Sequence, residues 1–374
     1  MPTIPLPARG VAPPGTRTST LRSEEPGLAT RRLEFGVYLN NRAPLITPGA
    51  GLPDLLELAE LAEVEGFHSV WVGDGLLHEP RHDPLMLLAA IAERTSRVRL
   101  GTACLRVSIR DPLFLAMAWS TIDRLSGGRT ILGACAGNAV DPGVRREFAV
   151  QGIDAGDRVG RLEEALHVLR ELWTNGSVTF HGRHFRYDDV AFESGTEIEP
   201  LRPQQPPPPI WIVSNPHLGR ADPEVARAAV DRAARRIVRL GDGWLTCCRA
   251  SHPEEVESQL AAIRRAAEEE GRDPQGFEAA YQATVVLADS ADAARASFAR
   301  FIAAYYPTFG SQVDLSDWGP VGTPDEVAGW IRRFADAGVT RFLVRFGSMD
   351  PQGDLRRFAR DVMPAFRAQP GVAS

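Results

Sequence analysis

Two residues able to handle protons, Asp74 and His78, stand four positions apart in the segment Gly73–Pro80, directly after the strand-like run His68–Val72. An aspartate there can hydrogen-bond a reactant and an imidazole can donate a proton, which makes the two the first candidates for catalysis. Their structural alternatives are a loop cap for Asp74 and a solvated side chain for His78. The cysteines Cys104, Cys135, Cys247 and Cys248 form neither a CxxC pair nor a His-rich ligand pattern, so neither a metal site nor a disulfide framework is expected. Cys135 lies in the small-residue run Gly133–Asn138 (GACAGN). Such a cysteine acts either as a small apolar residue or as a thiol beside the reacting centre.

The elements that must position these residues follow a repeat. After residue 32, short apolar runs alternate with longer helical patterns, the order that builds a parallel sheet through strand–helix–strand crossovers. Strands are predicted at Leu33–Leu39, His68–Val72, Val98–Cys104, Thr130–Cys135, Ile210–Val213, Gly243–Thr246, Ala280–Leu287 and Thr340–Arg345. Helices are predicted between them, among them Pro84–Thr95, Asp157–Trp173, Pro223–Leu240 and Ala291–Tyr305. Eight such units give an α/β fold of the (β/α)8 TIM-barrel type. Val178–Phe192 alternates apolar residues around a His181-Gly182 turn and breaks the rhythm, so a hairpin is expected as a small insertion after the fourth βα unit. Pro206–Pro209 can join neither a ladder nor a helix and reads as a stiff lead-in to the fifth strand.

Composition bounds the partners. The formal charge is −6, and the cations are arginines spread along helices rather than gathered in one run, which argues against nucleic acid. No run of about 18 apolar residues occurs, so no membrane helix is expected. Residues 1–32, rich in Pro, Thr, Ser and Arg, lack the apolar stretch of a secretory signal and read as a flexible arm before a single barrel domain, residues 33–374. A soluble protein of the reducing cytoplasm is the expectation.

In a (β/α)8 barrel the chemistry gathers at the carboxyl ends of the strands. That rule selects Asn40, Asn41, Asp74, His78, Ala103 to Arg106, Cys135 to Asn138, Ser214, Asn215, Cys247 to Arg249 and Gly347-Ser348. Polar residues with small neighbours recur there, a surface suited to a planar ring that approaches the backbone closely.

The stretch Asp123–Asn138, DRLSGGRTILGACAGN, resembles the signature of the luciferase-like flavin oxidoreductases: a helix end, a Gly-Gly turn, a strand and a small-residue cluster. Ser69–Pro84, Ser96–Pro112, Arg158–Trp173, Pro209–Ser214, Gly241–Thr246 and Gly322–Phe346 resemble further blocks of that family in the family's order, so the resemblance spans about residues 33 to 350.

The resemblance implies a flavin-type cofactor, bound by a chain that is often a homo-oligomer. It assigns Ala103-Cys104 to a strand end where many members carry a non-proline cis peptide against the ring, and Cys135 to a place beside the ring's reactive edge. Asn40 and Asn138 are expected at the cofactor, while Ser214, Asn215 and Arg158 match positions that receive its phosphate. Pro216 departs from the family's usual Gly-rich loop at that point and removes one backbone donor. Deazaflavin dehydrogenases of the family carry a His where this chain has Gly75 and a Glu where it has Asn138. The leading expectation is therefore a monooxygenase using reduced FMN, supplied by a separate flavin reductase, with molecular oxygen and a small organic substrate. A hydride-transferring enzyme of an 8-hydroxy-5-deazaflavin coenzyme is the alternative, and a flavin-binding protein without turnover is the non-enzymatic one. The loop Pro307–Val321, with Tyr305, Tyr306, Phe309 and Trp318 around it, falls where relatives have a mobile lid, before the helix predicted at Thr323–Gly338.

Overall fold

The computed structural model describes residues 33–47, 49–192, 203–216, 222–247, 252–306 and 318–367. In chain order these form β1 (Glu34–Leu39), α1 (Ala43–Ile46), α2 (Leu52–Val64), β2 (Ser69–Val72), α3 (Pro84–Arg94), β3 (Arg99–Thr102), β4 (Leu105–Arg106), α4 (Pro112–Ser126), β5 (Thr130–Cys135), α5 (Pro142–Val150) and α6 (Arg158–Asn175). There follow β6 (Ser177–His181), β7 (Arg186–Ala191), β8 (Ile210–Val213), α7 (Pro223–Leu240), β9 (Gly243–Cys247), α8 (Pro253–Glu269), β10 (Glu278–Leu287), α9 (Ala291–Tyr305), β11 (Val321–Gly322), α10 (Pro324–Asp336), β12 (Arg341–Phe346) and α11 (Pro351–Asp361). The arm expected over residues 1–32 and the lid segment 307–317, with Phe309, lie outside the described residues.

Parallel ladders run β1–β2–β3–β5–β8–β9–β10–β12 and return from β12 to β1, closing a circle of eight strands. This is the (β/α)8 barrel expected from the alternation. The inserted hairpin is also present: β6 and β7 pair antiparallel, from Ser177 opposite Ala191 to His181 opposite Arg186. Two local features differ from the sequence reading. The third strand ends at Thr102 and the chain resumes pairing with β5 only as β4. A whole helix, α5, stands between β5 and α6; Asp141 caps it by accepting the N–H groups of Gly143 and Val144, with Pro142 in its first turn. Only Glu147 and Phe148 of this helix are buried, so Phe148 is the one apolar side chain it sends into the core.

Barrel strands alternate their side chains between two cores. Val37, Val70, Val72, Ile210, Ile212 and Val344 face the helices, whereas Tyr38, Trp71, Ile131, Trp211, Leu245, Ala280 and Leu343 fill the barrel. Inside, the Trp71 and Trp211 rings stack with centroids 5.1 Å apart, and the Trp71 indole N–H donates to Ser69 Oγ at 2.8 Å. Two indoles fit because neighbouring strands give up side chains at their level: a Cβ on Gly101 would collide with the six-membered ring of Trp71. The indole pair plugs the barrel beneath its C-terminal mouth.

The polar half of the Asp123–Asn138 stretch serves the opposite end. Asp123, almost fully buried, accepts from Thr130 Oγ1 at 2.5 Å and from the Gln204 N–H at 3.0 Å. The Arg129 guanidinium donates to the carbonyls of Ser126, Val98, Ala92 and Thr95 and to Thr95 Oγ1, at 2.7 to 3.0 Å. It thereby satisfies carbonyls left open at the ends of α3 and α4.

Candidate active site at the barrel mouth

The C-terminal ends of β3, β5, β8 and β9 present Ala103, Cys104, Ala136, Gly137, Val213, Asn215 and Cys247, all small or short and all partly exposed. The Ala103–Cys104 peptide is cis, as the resemblance implied. Cys104 Sγ lies 2.7 Å from Cys135 Sγ, and both thiols are free. The bond from Cys104 holds the Cys135 thiol below its ordinary value against burial, with the Arg106 charge and the Gly137 N–H adding to the effect. The same contact and burial push the Cys104 thiol well above its ordinary value.

Asp74 and His78 are sent to different partners. Asp74 accepts from the Arg106 N–H and from Arg110 Nη2, each at 3.0 Å. His78 Nε2 lies 3.2 Å from Asp141 Oδ2 at the start of α5. The loop between them hangs on Glu147, which is wholly buried, accepts the N–H groups of Leu77 and His78 at 2.7 Å each, and forms an ion pair with Arg106.

The remaining expected residues divide in the same way. Asn138 is exposed and accepts from the Val140 N–H at 3.1 Å, the bond of a turn residue. Asn215 spans two strand ends, donating to Cys247 Sγ at 3.3 Å and accepting from Thr246 Oγ1 at 2.8 Å. Ser214 joins it through its backbone, its carbonyl accepting from Trp244 Nε1 at 2.9 Å. Arg158, half-buried at the start of α6, donates to the Ala155 carbonyl at 3.0 Å. Asn40 donates to the Phe346 carbonyl at 3.3 Å, and its buried Oδ1 has no hydrogen-bond partner.

A wall of arginines and aromatics faces this floor from the ends of β1, β2, β10 and β12, and sequence reasoning did not find it. Arg345 donates to Thr284 Oγ1 at 2.6 Å and Tyr306 Oη at 2.9 Å, and its guanidinium lies 5.4 to 5.8 Å from the ring centroids of Phe301, Tyr305, Tyr306 and Trp318. Arg42 and Arg81 share the Glu79 carboxylate at 3.6 Å each, and Arg81 also reaches Tyr305 Oη at 3.4 Å. Burial pushes the Tyr38 phenol up, opposed by Arg81. Tyr305, Tyr306 and Trp318, at the borders of the expected lid loop, pack around Arg345. Position gave one signal for this wall: Arg345 lies in the last strand, two positions before Gly347, which the strand-end rule selects. Beside it a cavity of about 280 Å³ is lined by Tyr38, Asn40, Phe301, Tyr305 and Phe346 among others. Among the described residues no group of three or more His, Cys, Asp or Glu is placed to hold a metal ion, and no helix is long and apolar enough to cross a membrane.

A closed parallel barrel with its polar and small residues gathered at one mouth defines a (β/α)8-barrel enzyme. Residues 33–319 match the family described as luciferase-like monooxygenase, and the chain belongs to that family of oxidoreductases. The F420-dependent glucose-6-phosphate dehydrogenase of Amycolatopsis mediterranei (strain U-32) is 28% identical over 331 residues, covering 85% of this chain and 96% of the relative. Among solved structures, the monooxygenase RslO1 from Streptomyces bottropensis aligns with a TM-score of 0.72 at 24% identity, over 89% of this chain and 100% of that one. An F420-dependent secondary alcohol dehydrogenase in complex with an F420-acetone adduct aligns at 0.70 and 21% identity, over 90% and 100%. The two structural likenesses are likenesses of fold.

Proposed function

We propose that the protein is a deazaflavin-dependent oxidoreductase that transfers hydride between an F420-type coenzyme and a small organic substrate. The observation that carries this reading is the near end-to-end match to an F420-dependent dehydrogenase. It reverses the order of the two cofactor expectations, in which reduced FMN with oxygen came first. Gly75, in place of the dehydrogenases' His, argues for a substrate or proton path of its own.

The floor fits a flavin-shaped group. Its side chains are short and partly exposed, and the orphaned Asn40 Oδ1 offers an acceptor at the rim. When bound, the coenzyme would supply the carbon that exchanges hydride with substrate. Ala103, Cys104 and Cys135 would bear the ring's face; Ser214, Asn215 and Arg158 would hold its phosphate. Asp74, fixed by Arg110, would orient a polar group of ring or substrate. His78, oriented by Asp141, is the group we assign to proton transfer. Arg42 and Arg81 share the Glu79 carboxylate, and these two guanidinium groups would suit a substrate with an anionic group.

The test is an anaerobic titration of the purified protein with reduced FMN and, in parallel, with the reduced deazaflavin coenzyme, followed by admission of air. Preferential deazaflavin binding with no oxygen-dependent intermediate supports the proposal. Preferential FMN binding with a transient absorbance after air overturns it in favour of the monooxygenase reading, and binding of either without any turnover would indicate a flavin-binding protein.

A further inference from the structure

We propose that Cys104 and Cys135 form a reversible disulfide on exposure to peroxide, making the floor of the mouth a site of oxidative modification. The two sulfurs come from neighbouring strand ends and are in contact at 2.7 Å, so closing the bond calls for little movement of either backbone. The β4–β5 pairing, with Leu105 opposite Ala134 and Arg106 opposite Cys135, holds Cys104 and Cys135 on adjacent chain segments within two positions of register.

The surroundings divide the labour between the thiols. Cys135 receives the hydrogen bond from Cys104, the Gly137 N–H and the field of Arg106, with Asp74 opposing, so it is the sulfur that carries negative charge more readily. Cys104, the donor, stays protonated and is the more open of the two to the mouth. Peroxide would be attacked by the Cys135 thiolate; the O–O bond breaks, leaving Cys135 as a sulfenic acid and releasing hydroxide. The Cys104 sulfur then attacks the sulfenic sulfur, the S–S bond forms and a second hydroxide leaves. The proton from each original thiol ends on a hydroxide, so two thiols and one peroxide give one disulfide and two waters. A thiol reductant reverses the change by exchange.

The bond would tie β3 to β5 directly beneath the surface that Ala103, Cys104 and Cys135 offer to a planar ligand. Cys247, whose sulfur accepts from Asn215 Nδ2 at 3.3 Å, serves as an internal control.

The experiment uses the full chain and no cofactor, so its failure and the failure of the cofactor reading are separate. The protein is treated with stoichiometric hydrogen peroxide, its remaining thiols are alkylated under denaturing conditions, and it is digested with trypsin. Cys104 and Cys135 fall in different peptides, Leu100–Arg106 and Thr130–Arg145. The expected result is one cross-linked species joining these two peptides, lost on treatment with dithiothreitol, with Cys247 still alkylated. Cys104→Ser should stop the reaction at a Cys135 sulfenic acid that dimedone traps, and Cys135→Ser should leave Cys104 unoxidised at the same dose. Full alkylation of both cysteines after peroxide, direct conversion of Cys135 to sulfinic or sulfonic acid, or a cross-link through Cys247 would each overturn the proposal.

Discussion

Glu147 and Arg106 form an ion pair in which the carboxylate is wholly buried and the guanidinium nearly so. The same carboxylate holds the Leu77 and His78 N–H groups, so one residue of α5 fixes the loop that carries both expected proton-handling side chains. Glu147→Ala would leave a buried cation and two N–H groups without partners, and a loss of about 3–5 kcal/mol in urea denaturation is expected. A loss under about 1 kcal/mol would mean that the loop is held by other contacts.

Arg129→Ala should destabilise without touching the mouth. The guanidinium satisfies four carbonyls and one hydroxyl at the N-terminal end of β5, far from the strand end where Cys135 sits. The expected cost is about 2–4 kcal/mol in thermal or urea unfolding, with ligand affinity of the folded protein unchanged. A variant of normal stability and weakened cofactor binding would contradict this division of labour.

Acid stability should report on His68. Burial, then the neighbouring guanidinium of Arg341, with Arg99 behind it, push this imidazole down to about 4. Glu34 lies 3.4 Å from Nε2 but is itself bound by Arg341 at 2.7 Å, so it does not reverse the effect. Above pH about 6.5 the ring is neutral in both folded and unfolded chains and contributes no pH dependence. Between about 6.5 and about 4 the unfolded chain takes up a proton that the folded chain refuses, so stability falls as pH falls through that window. Unfolding curves of the parent and His68→Gln across this range should show a shallower slope in the variant. Equal slopes would remove His68 as the cause.

Arg158→Ala tests the phosphate assignment. Its hydrogen bond to the Ala155 carbonyl is local, and removing the side chain leaves the α6 packing in place. Loss of a charge-assisted contact should weaken binding of a phosphate-bearing coenzyme by about 1–3 kcal/mol, read by equilibrium titration. Unchanged affinity would take Arg158 out of the site.

The barrel was legible because its signals are local. Alternating short apolar strands and amphipathic helices predict eight units, and the ladders close as eight. Ala291–Tyr305 and Pro223–Leu240 occur with the bounds predicted for them, set by Ser290 and Asp222 as caps, residues whose preference acts within one turn. Helix α5 escaped because Glu147, its most deeply buried polar residue, reads as a surface charge until Arg106 is brought to it.

The sequence by itself determined the fold class, the family and the strand ends where chemistry should gather, since all three rest on periodicity and on residue types in fixed order. Only the tertiary structure decided what each strand-end residue faces. Asp74 meets Arg110 across 36 positions, His78 meets Asp141 across 63, and Cys104 meets Cys135 across 31. The arginine–aromatic wall around Arg345 is assembled from chain ends more than 300 residues apart, Arg42 and Arg345 among them, both against the ring of Tyr305. Such contacts depend on strand stagger and helix packing around a closed barrel, and no local pattern of residues carries that information.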